Sequence, residues 1–229
     1  DFIFPSAKVK VFQNGNRLRM EYQLHGGDSF VILDDGKTVY RLDVARRTAY
    51  ESFVEKPLEQ LDLLFENYQL KLLSIEKLLG RETALISIEP KHPGNPKKKV
   101  WIDQRTAVIL RMELFCSDGK RSRESFYTNI DFDAEVPAEL FKLPISFKVV
   151  QTEPNTTKRL NKSEIRRAVG FEILEPRSLP EGYILDDFYL SYCPMGMPIV
   201  HLRYFDGLNS ISLFEHPTNC MEMGGSMMG

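Results

Sequence analysis

KVWIDQRTAVILRMELFCSDGKRSRESFYTNIDFD, residues 99–133, carries the clearest β signal in the chain. Lys99 to Asp103, Val108 to Cys116 and Arg121 to Asp133 are three alternating runs, and Asp118-Gly119 sits where the second would turn into the third. Asp-Gly suits a hairpin turn because glycine takes a positive φ at no steric cost. Leu110, Met112, Leu114 and Cys116 fall on one face of the middle run, and Phe126, Thr128, Ile130 and Phe132 on one face of the next. A period of two is that of a strand with one face buried. The stretch predicts antiparallel hairpins.

Toward the N-terminus the same pattern repeats. Val9 to Phe12 and Arg17 to Leu24 flank Asn14-Gly15, a dipeptide that favours a type I′ turn. Leu18, Met20, Tyr22 and Leu24 alternate with Arg17, Arg19, Glu21 and Gln23. Gly26-Gly27 leads into Ser29 to Leu33, and Asp35-Gly36 into Thr38 to Val44, where Tyr40, Leu42 and Val44 share a face. The period then changes. Leu58, Leu61, Leu64, Phe65 and Tyr68 recur at the spacing of one helix face, with Pro57 suited to a first turn. Strands resume at Gln69 to Leu73 and Thr83 to Glu89. The proline-rich segment 90–96 is a loop.

Toward the C-terminus, Pro137 to Phe141 reads as a short helical turn that closes the first domain. The segment 151–158 is polar, bears a proline and lacks large hydrophobes, the composition of a linker. Ser163 to Ala168 reads as a short helix capped by Ser163. Phe171 to Leu174, Leu185 to Tyr192, Ile199 to Phe205 and Ser210 to Glu215 give four strands, the last pair joined at Asp206-Gly207. The expected fold is α+β and mostly antiparallel. It comprises a curved sheet domain over 1–144, a linker over 145–165 and a small β-rich domain over 166–229 with a flexible tail.

Composition narrows the function. The net charge of −2 gives no overall attraction to nucleic acid. No apolar run is long enough to span a bilayer, and no leader segment precedes the first strand, so the sequence reads as a mature or trimmed chain. The nucleophile elbow G-x-S-x-G and the phosphate loop G-x-x-x-x-G-K-[ST] do not occur. The four histidines, His25, His92, His201 and His216, show no metal-ligand spacing, and the acids of 131–135 lack calcium-loop spacing. No cofactor, metal or catalytic group is expected. Of the three cysteines, Cys116 reads as a buried small hydrophobe, whereas Cys193 and Cys220 pair only in an oxidising compartment. Lys97-Lys98-Lys99 beside Trp101 reads either as a solvated strand edge or as a patch for phosphates or an acidic partner. The methionines around Cys193 and Cys220 offer soft ligands for Cu(I), or an adaptable glycine-broken tail.

Several stretches taken in order resemble a known family. Leu33-Asp34-Asp35-Gly36-Lys37-Thr38-Val39-Tyr40 resembles a hairpin of LolA-like domains, as do Lys99 to Asp103 with Leu110 to Phe115 and Asp118-Gly119-Lys120. Phe132 through Pro144 is similar to their closing segment. Leu179-Pro180-Glu181-Gly182-Tyr183 and Leu202 to Glu215 look like the second domain of the RseB/MucB family. The resemblance implies a half-open curved β-barrel with a helical lid. It also implies a periplasmic location, binding of an anti-sigma factor's periplasmic domain, and sensing of a lipid or lipoprotein acyl chain. A carrier of lipoprotein or lipid without a signalling role is the alternative. The candidate lining is Leu18, Met20, Tyr22, Tyr40, Leu42, Trp101, Leu110, Met112 and Leu114. A cavity lining and a closed core under the 57–68 helix share this alternation, so both readings stand. Oligomeric state is not readable from the sequence.

Overall fold

The structure, a computed structural model, describes residues 7–52, 61–150, 158–193 and 196–217. By backbone contacts the chain divides into two compact units, Asp1–Pro57 with Asp131–Pro154, and Leu58–Ile130 with Asn155–Gly229.

The first unit is a six-stranded sheet. Strands β1 (Ala7–Asn14), β2 (Arg17–Leu24), β3 (Ser29–Asp34), β4 (Val39–Asp43) and β5 (Thr48–Ser52) follow one another as an antiparallel meander. The β1–β2 loop is Gly15-Asn16 rather than Asn14-Gly15, because Asn14 still pairs with Arg17. Only Gly15 has a positive φ (61°), the pattern of a II′ turn and not the expected I′. Strand β5 was not foreseen. Register sets Val31 opposite Leu42 and Leu42 opposite Ala49, so Val31, Leu33, Leu42 and Ala49 form one buried face. Leu143 and Phe147 of the closing segment pack on it. That segment begins with a 3₁₀ turn, Ala138–Phe141, where helical turn was expected. Arg19 Nη1 donates to Leu140 O at 3.4 Å, and Arg17 lies over the buried Phe141 ring.

The second unit begins with α1 (Leu61–Asn67), then β6 (Tyr68–Leu78), β7 (Arg81–Pro90), β8 (Lys97–Asp103), β9 (Ile109–Phe115) and β10 (Arg121–Phe126). These five strands are antiparallel neighbours in chain order. The 57–60 part of the expected helix lies outside the described residues. Leu64 packs inward, but Leu61 and Phe65 are more than half exposed. Strand β10 stops at Phe126, so Thr128, Ile130 and Phe132 do not continue its face, and Phe132 is exposed. Cys116, expected in a buried strand position, lies in the turn after β9 and is exposed.

Returning to the first unit, β11 (Lys148–Val150) runs parallel to β5, the one parallel pair among the described residues. The remaining sheet belongs to the second unit: β12 (Lys158–Leu160), β13 (Ile184–Tyr192), β14 (Pro198–Phe205) and β15 (Ser210–Glu215). Its fourth strand is β12, at the end of the expected linker, and not Phe171–Leu174, which is irregular with Ile173 buried. Between β12 and β13, α2 (Lys162–Ala168) packs Ile165 against Phe188, Leu190, Val200, Leu202 and Tyr204. Its cap is Asn161, not Ser163. The Asn161 side chain accepts from Ser163 N and Glu164 N, and Glu164 reaches back to Asn161 N at 2.9 Å. The architecture is α+β and mostly antiparallel, as expected. Neither large sheet closes on itself among the described residues.

Candidate functional site

Strand register sorts the residues of the candidate lining by face. In the first unit, Leu18, Met20 and Tyr22 share a face with Phe30 and Ile32, since Tyr22 pairs with Phe30 and Met20 with Ile32. The Tyr22 and Phe30 rings stack at 4.5 Å, and Arg41 lies 4.9 Å over Phe30. These residues are half-buried and form a continuous apolar surface. Tyr40 and Leu42 are on the opposite face, in the core beneath the closing segment. Period two marks which residues of one strand agree, but not which faces of successive strands align.

The five-stranded sheet separates its faces by chemistry. One carries Met112 and Leu114 of β9, with Val100 opposite Met112 and Ile86 opposite Val100, whereas Leu110 is fully buried at the register shift of β9 against β8 and has no ladder partner there. Leu70, Leu72 and Ile75 of β6 continue it and are exposed. The other face is ionic, and Trp101 belongs to it, because its partner across the ladder is Arg111. Trp101 therefore stands on the opposite face from Met112. Its Nε1 donates to Glu76 Oε2 at 2.9 Å, and the Arg111 guanidinium lies 4.7 Å over the ring. Arg111 and Arg121 both pair with Glu113 and with Glu124. Burial pushes the Glu113 carboxyl upward, but these two guanidinium groups outweigh it and hold it below the usual range. Arg81 grips Asp103 with two 2.9 Å bonds, and with Thr106 it holds that carboxyl well below the usual range. The three lysines do not form one patch. Lys97 and Lys99 lie over Phe115 on the ionic face, whereas Lys98 points to the apolar face, where burial pushes its ammonium down against the pull of Asp206.

On the apolar side, where Leu64 and Leu208 pack on Tyr68, Ile88 and Val100, a polar cluster ties the β12–β15 sheet to α1 and β6. Asp206, fully buried at the β14–β15 turn, accepts from Leu208 N (2.8 Å), Asn209 N (2.5 Å) and the Tyr68 hydroxyl (2.5 Å). Tyr183 also bonds this carboxylate. Both phenols are pushed above their ordinary range, by burial first and by the adjacent carboxylate. Asn67 Nδ2 donates to Gly182 O and Asp206 O at 2.9 and 3.0 Å. The His92 ring lies between Glu181 and Asn67 Oδ1. At Gly207 (φ 93°) a Cβ would collide with the backbone of Leu63 and Leu64. The sequence reading missed this cluster. Its one visible trace was the Asp206-Gly207 turn, whose partners lie more than a hundred residues away.

Of the other singled-out residues, His201 stacks between Tyr189 and Phe214 on the outer face of the β12–β15 sheet. Burial, with Arg203 adding to it, lowers its pKa. Cys193 is half-buried, and Cys220 with the methionines of the tail lies outside the described residues. Among the described residues, no three His, Cys, Asp or Glu side chains group to hold a metal, and no helix is long and apolar enough to cross a membrane.

The family model described as the MucB/RseB N-terminal domain matches residues 7–145. The chain belongs to the MucB/RseB family. Members are regulatory binding proteins of the envelope stress response, acting on sigma factors through anti-sigma factors. The solved structure of MucB in complex with MucA(peri) superposes with a TM-score of 0.63 at 17% identity, covering 94% of this chain and 70% of that one. The Pseudomonas aeruginosa MucA/MucB complex gives 0.59 at 15% identity over 93% and 70%. MucB alone gives 0.55 at 16% over 93% and 69%. No curated protein sequence matches the chain.

Proposed function

We propose that this chain is a periplasmic regulator that holds an exported segment of an anti-sigma factor against the apolar face of its five-stranded sheet. In this reading an acyl chain of lipid or lipoprotein competes for the same surface, so that lipid releases the partner. The modules are 1–144 and 166–229, joined by 145–165. Family membership supports the partner class, since two of the similar structures are of MucB with MucA.

The observation that carries the choice of surface is the contrast between the two faces. The ionic face satisfies its charges internally through Arg81, Arg111 and Arg121. The face of Ile86, Met112 and Leu114 instead offers half-buried hydrocarbon running out to the exposed Leu70, Leu72 and Ile75. Apolar surface of this kind gains roughly 25 cal/mol per Å² when covered.

Titration calorimetry with the periplasmic segment of the host's anti-sigma factor tests the reading. Binding is expected, weakened about tenfold or more by Leu114→Asp in a chain of unchanged circular dichroism. Addition of a lipoprotein acyl chain is expected to displace the segment. A chain that co-purifies with lipid but ignores every anti-sigma segment is instead a carrier, and that result overturns the proposal.

A further inference from the structure

Lys98 is out of keeping with its neighbours. On the apolar face of the five-stranded sheet, Leu70 pairs with Ile88, Ile88 with Lys98, Lys98 with Leu114 and Leu114 with Arg123, so these five residues form one row across all the strands. The next row, Leu72, Ile86, Val100, Met112 and Ser125, is apolar up to its last member. A break of phase in β6 between Leu72 and Ser74 keeps Ile75, opposite Ala84, on this face too. The one acid that alternation along the five strands sets here is Glu82. It stands six residues along β7 from Ile88, about 20 Å away.

Burial pushes the Lys98 ammonium down, and the opposing pull comes from Asp206. That carboxylate already receives the hydroxyls of Tyr68 and Tyr183 and the amides of Leu208 and Asn209. No ion pair or hydrogen bond joins the Lys98 ammonium to it, or to any other group among the described residues. A cation that has lost part of its hydration and touches no anion is costly to hold, and an arriving anion recovers that cost.

We propose that Lys98, together with Arg123, receives a carboxylate of the anti-sigma segment, so that the partner of the apolar face is a peptide with an acidic side chain beside its apolar anchor. The assignment rests on the segment occupying that face and adds the charge it carries. Lys98 and Arg123 flank Leu114 on β8 and β10, two strand spacings or about 10 Å apart. Both side chains are long enough to converge above Leu114. A carboxylate there has lone pairs for an ammonium and a guanidinium together, and the five N–H donors of Arg123 allow this bond beside its others. Charge also selects the carboxylate over a phosphate, because a second negative charge would be repelled by Asp206.

Titration calorimetry with the synthetic periplasmic segment of the host's anti-sigma factor, at low and high salt, tests the assignment. Lys98→Met keeps the hydrocarbon stem and removes the charge. It is expected to weaken binding about tenfold and to flatten the salt dependence, with Lys98→Arg restoring most of the affinity. Among peptides in which each Asp or Glu is changed singly to its amide, one is expected to bind the unaltered chain about tenfold more weakly, yet to bind Lys98→Met as well as the unchanged peptide does. A Lys98→Met chain that binds the segment normally, while Leu114→Asp still weakens it, overturns this proposal and leaves the choice of surface standing. No binding by the unaltered chain overturns both. A loss in Lys98→Met that adds to that of every amide peptide gives the lysine a role in the fold alone and overturns the proposal. So does a Lys98→Met chain that loses binding only to vesicles containing phosphatidylglycerol, which assigns the cation to a lipid headgroup.

Discussion

Asp206 shows how much one buried side chain can organise. It closes its own turn by accepting the amides of Leu208 and Asn209, and it receives the hydroxyl of Tyr68 from the start of β6. A carboxylate can take all of these donors because it offers about four lone-pair sites and no hydrogens. An amide of the same shape would turn hydrogens toward at least one donor. Asp206→Asn is therefore expected to cost about 3 kcal/mol, the order found when a buried charged acceptor is lost. Urea unfolding followed by tyrosine fluorescence and circular dichroism checks it. A loss below about 1 kcal/mol would place the cluster's stability in the Asn67 bonds instead. Tyr68→Phe removes the donor to Asp206 and the acceptor of Asn209 Nδ2, and is expected to cost about 1–2 kcal/mol.

At the scale of elements, α2 offers the cleanest test. The helix has seven residues, too few to persist without its cap and its packing. Asn161→Ala removes the acceptor of two helix amides and is expected to cost about 1 kcal/mol, read as a lower urea midpoint with unchanged slope. The cap also shows where sequence legibility ended. Asn161-x-x-Glu164 is a complete capping box, yet Ser163 was equally plausible by residue type, and only the backbone distinguishes them. Hairpins were legible because glycine turns and period two are local properties: β2, β3, β4, β8 and β9 follow from them. Strands β5 and β12 were not. Each is short and polar in part: β5 follows β4 through a turn with no glycine and carries β11 on its other side, and β12 exists because the distant β13 pairs with it. The candidate lining failed to assemble as one surface for a related reason. Alternation put Met112 and Leu114 on a common face, but a register shift falls at Leu110, the ladder partner Arg111 put Trp101 on the other face, and the closing segment covered Leu42. The break of phase between Leu72 and Ser74 had no sequence signature at all.

At the scale of the molecule, the matched family module and the compact units do not share boundaries. The family model ends at residue 145, whereas the second unit draws on both 58–130 and 155–229. Inside that unit the later segment completes what the earlier one begins. Leu208 packs with Tyr68, Ile88 and Val100, and Asn67 is buried with its amide nitrogen on Gly182 and Asp206. Asn95 donates to Glu181 O at 2.9 Å. A chain cut after residue 150 would bare Tyr68 to solvent and take the protein acceptors from Asn67 Nδ2, the Tyr68 hydroxyl and Asn95 Nδ2, each bond worth roughly 0.5–1.5 kcal/mol net because water replaces the lost partner. Loss of the Leu208 contact also uncovers apolar surface of Tyr68, Ile88 and Val100, a further cost at roughly 25 cal/mol per Å² against a domain stability of roughly 5–15 kcal/mol. The 1–150 fragment is accordingly expected to bind a hydrophobic dye and to melt broadly, well below the full chain. Returning 155–229 as a separate polypeptide should restore a cooperative transition, since the contacts are non-covalent. A fragment that melts sharply at the full chain's midpoint would mean that the first module folds by itself and that the Asp206 cluster only docks a finished partner onto it.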